Sequence, residues 1–342
     1  MFITSLLKVK RQSKRTEYLR RIRRLMASQD DARRRRVMYN ERLYQQWSVE
    51  NDIYCVPIDD REEQRLLDQH NVVQTYLELV GFRQPLGGGF VVPPIQQAPR
   101  RILDCGYGQG SWAIGIAEEF PDSEVVGIDI WHSDIDDMPD NLEFDSWNLN
   151  DSFRDMQDSE GTYKRGTFDL INSRFLAPGI HERRWPTYIR ELVRLLRRGG
   201  WLQVVEWAYL FQSMSGNIDR MPYCQRWNDS YRTALQGKRD PRIGSRIKRL
   251  MQDEGLVGVD CKTYSVPIGG WYPDARMQQV GLLNRTIFGE ALESLAMWPF
   301  TQELEGQTKQ TVENLAVGVR QEMDNPSNQV YMHLYVAYGQ KR

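Results

Sequence analysis

The sequence is poor in the residues that build metal or disulfide scaffolds. It holds four cysteines (Cys55, Cys105, Cys224, Cys261) without a C-x-x-C pair, and four equally dispersed histidines (His70, His132, His181, His333). Neither a disulfide framework nor a zinc site is indicated, and no metal is expected. No apolar run approaches the roughly 18 residues that a membrane helix requires. The N-terminus lacks the hydrophobic stretch and small-residue cleavage site of a secretory signal. There is no internal repeat, and the only biased tract is the Gly/Pro-rich stretch from Leu86 to Pro99. These absences point to a soluble, cytoplasmic globular protein without direct membrane or nucleic-acid binding.

What is present is unevenly distributed. Net charge is −1 over 342 residues, yet residues 1–36 carry thirteen Lys/Arg against Glu17, Asp30 and Asp31. Tyr18, Leu19, Ile22, Leu25 and Met26 make a helical stripe between arginines, and Ser28-Gln29-Asp30-Asp31 reads as a capping box opening a second helix through Arg33 to Arg36. A solvated basic helix accounts for this stretch. So does a nuclear import signal, which makes the nucleus the alternative location, or a surface for an acidic protein partner. A transit peptide fits less well, because Ser and Thr are sparse among the arginines. From Tyr39 to Gly81 the pattern reads as helical and aromatic-rich, with Leu66, Leu67, His70, Val73 and Leu77 on one face. The expected organisation is a basic extension over 1–36, a helical cap and linker over 37–97, and the main domain over 98–342.

The main domain opens on Arg101-Ile102-Leu103-Asp104-Cys105-Gly106-Tyr107-Gly108-Gln109-Gly110-Ser111-Trp112. A buried strand ends in an acid, alternate glycines follow, and Trp112 to Ala117 has helical spacing. This is how a nucleotide-like ligand is held at the edge of a parallel sheet. A dinucleotide loop would place its third glycine where Ser111 stands. Asp-x-Gly-x-Gly-x-Gly instead resembles motif I of class I S-adenosylmethionine methyltransferases. Glu124 to Ile130 predicts a second strand, and its Asp129 lies 19 residues beyond Gly110, where a carboxylate can accept ribose hydroxyls. Leu142–Asp145 predicts a third strand, followed by Trp147 and Asn148, which suit an adenine ring. Phe168–Arg174 predicts a fourth, placing Asn172, Ser173 and Arg174 toward the ligand edge. A helix over 185–197, stopped at Gly199-Gly200, leads to a fifth strand over Trp201–Trp207. This alternation means a doubly wound parallel sheet. Helical insertions are expected over 217–254 and 275–324, with strands at Val257–Pro267 and Val330–Gly339.

Taken together, the chain from about Tyr39 resembles the fungal LaeA-like methyltransferases. The resemblance rests on the acidic segment before Gln69-His70, on Leu103 to Ile114, and on Phe168 to Arg174. It also rests on Gly199-Gly200-Trp201-Leu202-Gln203, on Pro267-Ile268-Gly269-Gly270-Trp271, and on Leu334 to Gly339. It implies a class I α/β (Rossmann-like) fold with a mostly parallel seven-stranded sheet and helices on both faces. It also implies S-adenosylmethionine as cofactor and a role around fungal natural-product metabolism. On the motif positions, Asp104, Gly106, Gly108, Gly110, Asp129, Trp147, Asn148 and Asn172 are the expected cofactor-binding residues. Trp147-Asn148 replace an acidic pair that is common in the family.

Methyl transfer needs alignment more than a nucleophilic side chain. A base is needed only for a protonated acceptor, and His181 and Glu206 are the candidates. The leading reading is a methyltransferase acting on a small-molecule acceptor. The alternatives are a protein or peptide acceptor, a nuclear regulator acting through protein partners, and a fold that has lost transfer.

Overall fold

The computed structural model describes residues 34–82, 86–87, 89–131, 138–156, 162–216 and 218–342. The helical stripe expected over residues 16–26 and the capping box at Ser28 lie outside them, as does His132.

The described chain begins with an antiparallel hairpin, β1 (Arg36–Tyr39) and β2 (Arg42–Gln45). This corrects the helical expectation for this stretch. Asn40 and Glu41 both take positive φ (49° and 64°), the two-residue turn geometry that matches strand twist. Arg36 is the first residue of β1 and not the end of a helix. Tyr39 and Tyr44 set their rings 4.7 and 5.5 Å from Trp298, which fixes the hairpin to the far end of the chain. Two helices follow, α1 (Gln46–Glu50) and α2 (Asp60–Leu79). The α2 helix starts where Asp59 accepts the Glu62 amide, with Asp60, Glu62 and Glu63 complementing the positive end of the helix dipole. Asp59 also takes a two-pronged bond from Arg42 (2.6 and 2.8 Å). Burial works against its charge, but Arg42 holds its carboxyl below the usual range. The buried face of α2 is Val72, Val73, Tyr76 and Leu77, together with Glu62, Arg65 and Gln69. Leu67, expected on that face, points outward.

The main sheet holds seven strands. Five run in parallel: β3 (Arg101–Cys105), β4 (Glu124–Asp129), β5 (Leu142–Ser146), β6 (Phe168–Arg174) and β7 (Leu196–Ser213). The strands β8 (Val257–Pro267) and β9 (Val330–Gln340) complete it in the order β5-β4-β3-β6-β7-β9-β8, with β9 antiparallel to both neighbours. The expected helix over 185–197 is shorter, α4 (Trp185–Leu195), and Arg197 to Gly200 belong to β7. A register shift against β6 falls there, so the glycines serve a bulged strand entry and not a helix stop. Between β3 and β4 lies α3 (Ser111–Glu119). The insertions are α5 (Pro222–Ala234) and α6 (Gly244–Asp253), then α7 (Ala275–Glu303) and α8 (Lys309–Asp324).

The core is continuous from α2 through the sheet to α7 and α8. Trp207 is fully buried and meets Phe288 of α7 edge-on at 5.0 Å. Each large apolar side chain taken from water here contributes about 1.5–3 kcal/mol. Packing of this kind closes the far half of the sheet and leaves the C-terminal ends of β3, β4 and β6 facing α2.

Candidate functional site

The cleft at those strand ends follows from the sheet. Parallel strands expose their last residues at one edge, where side chains and loop amides converge. The space encloses about 1230 Å³, open mouth included, and its floor contains Asp104, Asp129, Asn172 and Arg174. The sequence suggests a helical cap over 37–97 but not which of its residues reach the strand ends to form the roof. Tyr54 and Ile58 from the segment before α2, and Glu62, Gln69 and His70 from α2 itself, come across the strand ends.

The glycine turn does two separate things. A Cβ on Gly106 would collide with the Leu176 side chain, so this glycine permits close packing. Gly108 has φ +56° and nothing within 4 Å of an added Cβ, so its bare backbone faces open space in the cleft. Its amide donates to Asp129 Oδ2 at 2.9 Å, and the Trp131 amide donates to Oδ1 at 3.0 Å. Burial raises the Asp129 carboxyl, and the backbone donors oppose that. Gly110 begins α3 with φ +76° and does not line the cleft.

Asp104 is 2% exposed and anchors a buried polar chain. Its Oδ1 accepts from Asn172 Nδ2 at 2.7 Å, and Asn172 Oδ1 accepts from Gln203 Nε2 at 2.7 Å. Gln203 also donates to the Phe90 carbonyl (3.0 Å) and accepts the Val92 amide (2.9 Å). Burial pushes the Asp104 carboxyl up to about 7, against the opposing effects of Asn172 and Arg174. In the roof, Arg65 makes a two-pronged bond to Glu62 (2.6 and 3.0 Å) and reaches Gln69 at 3.0 Å. Burial first, and Arg174 second, press His70 down to about 3, so its imidazole is neutral.

The remaining expected site residues fall elsewhere. Asn148 lines the cleft, but its amide is engaged by Asn150 and Asp151. Trp147 packs against the core, its buried Nε1 has no hydrogen-bond partner among the described residues, and it does not line the cleft. Nor do His181 and Glu206. His181 Nδ1 is bonded to Arg239 Nη1 at 2.7 Å. Burial and that guanidinium lower its pKa. Glu206 is fully buried and accepts the amides of Leu176 (2.8 Å) and Ala177 (3.1 Å), so it braces the loop after β6. Sequence reasoning missed the roof residues Tyr54, Glu62 and His70 as cleft residues. Their only sequence signal is the acidic run ahead of Gln69-His70.

Among the described residues, no group of His, Cys, Asp and Glu is placed to hold a metal, and no helix is long and apolar enough to cross a membrane.

A methyltransferase-domain family matches residues 102–200, from β3 to the start of β7. The chain is 28% identical over 273 residues to methyltransferase pytC of Aspergillus terreus, covering 79% of this chain and 77% of that one. It is 25% identical over 294 residues to protein-methionine methyltransferase laeA of Emericella nidulans, covering 83% and 72%. It is likewise 25% identical over 317 residues to a secondary metabolism regulator of Cochliobolus heterostrophus, covering 87% and 92%.

Proposed function

We propose that this chain, an S-adenosylmethionine-dependent methyltransferase similar to the LaeA-like fungal group, methylates a small-molecule acceptor in secondary metabolism. The observation that carries this reading is the roof. Tyr54, Glu62, Gln69 and His70 come across the strand ends and narrow the cleft, which stays open at its mouth. A cleft roofed in this way suits a compact acceptor better than a segment of folded protein.

The residues present fit the cofactor. Gly108 offers bare backbone beside open space, and the buried Asp104 and half-buried Asp129 line the cleft, which suits a ligand that carries cationic groups. In this reading Asp129 accepts the ribose hydroxyls, Asp104 faces the ammonium, and Asn172 fixes the rotamer of Asp104. Asn148 closes the adenine end, while Gly106 and Gly110 shape the turn. When bound, the cofactor supplies a methyl group already activated by its sulfonium. The protein's contribution is to hold the acceptor in line and exclude water, which can supply about 7–11 kcal/mol. His70, neutral and facing the cleft, can accept a hydrogen bond from an acceptor hydroxyl.

Calorimetric titration with S-adenosylmethionine and S-adenosylhomocysteine, with Asp129→Ala as control, tests this reading. Metabolite comparison in a deletion strain should then reveal an acceptor lacking one CH2. Absence of binding to the intact protein would overturn it. A second reading, a nuclear regulator with a protein partner, is favoured by the charge of residues 1–36 and by the secondary metabolism regulator among the similar proteins. It predicts that removing them redistributes a tagged protein.

A further inference from the structure

Among the described residues, the one arginine on the cleft floor is unlike the buried arginines elsewhere. Arg174 ends β6 and lines the cleft, and its Nε and Nη2 are buried without a hydrogen-bond partner among the described residues. These two atoms form the edge of a guanidinium that grips a carboxylate side-on. Elsewhere in this chain that edge is filled. Arg42 gives Nε and Nη2 to Asp59, and Arg65 gives the same pair to Glu62. Arg239, also buried, bonds four carbonyl oxygens and the His181 ring.

The carboxylates near Arg174 are aimed elsewhere. Asp104 accepts from Asn172, and Glu206 accepts two backbone amides. The Phe175 ring, 4.8 Å from the guanidinium carbon, covers one face of the plane and leaves the edge free. Buried charged donors left unpaired are costly, so the arrangement suits a ligand that fills them.

We propose that Arg174 is the carboxylate-binding residue of the cleft, taking a planar monoanion on its Nε/Nη2 edge. A dianionic phosphate is disfavoured by Asp104 and Glu206, which in their ionised forms both act electrostatically on this guanidinium. A carboxylate carries less charge and meets a smaller penalty. Two ligands of this site carry one: the methionyl end of the cofactor, which rests on the methyltransferase reading, or an acidic acceptor. In the first case Asp104 and Arg174 together match the two charges of an amino-acid head group.

The test uses the full chain, with Arg174→Met and Arg174→Lys, whose folding is checked by thermal melting. Arg174→Gln replaces the first if it does not fold. Titrations use S-adenosylhomocysteine, which has the carboxylate, and 5′-methylthioadenosine, which does not. Benzoate and hexanoate are titrated with and without saturating S-adenosylhomocysteine. If the carboxylate is the cofactor's, the variants weaken S-adenosylhomocysteine by about 10–100-fold and leave 5′-methylthioadenosine unchanged. If it is the acceptor's, nucleoside affinities hold while acid binding is lost. Equal loss for both nucleosides, or no change in any titration, overturns the proposal. Wild-type protein that binds neither nucleoside overturns the methyltransferase reading alone, and the acid titrations still decide the role of Arg174.

Discussion

Asp104 makes cofactor affinity depend on pH in a way that can be worked from its surroundings. Its carboxyl is buried, accepts one side-chain hydrogen bond, and is pushed up to about 7. A cationic ligand facing it favours the carboxylate form, so protons compete with the ligand. The charged fraction is half at pH 7 and about one hundredth at pH 5. Affinity for S-adenosylmethionine should therefore fall by up to about 50-fold across that interval, about 2.3 kcal/mol. The sign is fixed: binding tightens as pH rises toward 7. Asp104→Asn keeps an oxygen for Asn172 Nδ2 but cannot ionise. It should bind more weakly at pH 7, by about 1.5–3 kcal/mol for a lost charge-assisted contact, and show no slope below it. His70 does not interfere, because it stays neutral down to about 3. Isothermal titration in two buffers of different ionisation enthalpy would count the protons released. A flat wild-type profile, or an Asp104→Asn protein that keeps the slope, would refute the reasoning.

Three further outcomes are expected. Asp129→Ala should weaken cofactor binding by about 10–150-fold, since a charged acceptor for hydroxyls and for the Gly108 turn is lost; calorimetry reads this directly. His181→Ala should leave kcat nearly unchanged while lowering stability by about 1–3 kcal/mol, because Arg239 loses a partner in a buried setting; urea melts and turnover, measured together, separate the two. Burial pushes Glu206 up to about 8. Its folded pKa lies above the unfolded value, so the stability it contributes is complete below about 4 and fades as pH rises through about 8. Thermal melts of wild type should show that loss, at roughly 1.4 kcal/mol per unit of pKa shift, and Glu206→Gln should flatten it.

Much of the sheet was legible because its signals are local. The strands β4 and β6 are short, largely apolar runs ending in a polar residue, and β6 and β8 fall at the expected limits. Asp104, Gly108, Asp129 and Asn172 could be placed because strand ends and alternate glycines are written in adjacent residues. The hairpin was not legible. Four-residue strands are too short for alternation to stand out from a helical aromatic pattern, and Tyr39 and Tyr44 owe their positions to Trp298, more than 250 residues away. The roles of His181 and Glu206 were hidden for the same reason. What each side chain bonds is decided by Arg239 and by the loop after β6, not by its neighbours in sequence. Tyr54, Glu62 and His70 reach the cleft only through the way α2 docks over the sheet.

The buried polar chain from Asp104 through Asn172 and Gln203 ends on the backbone at Phe90 and Val92, inside the stretch that composition marks as a linker. A fragment cut at residue 98 would keep Gly106, Gly108, Gly110 and both strand-end acids, yet would strip Gln203 of its two backbone contacts. Asn172 would then be free to turn, and the acid it holds would lose its bearing. Homologues and chimaeras should accordingly be joined upstream of Phe90, since grafting at the Pro-rich stretch would transplant the loop while leaving its alignment behind.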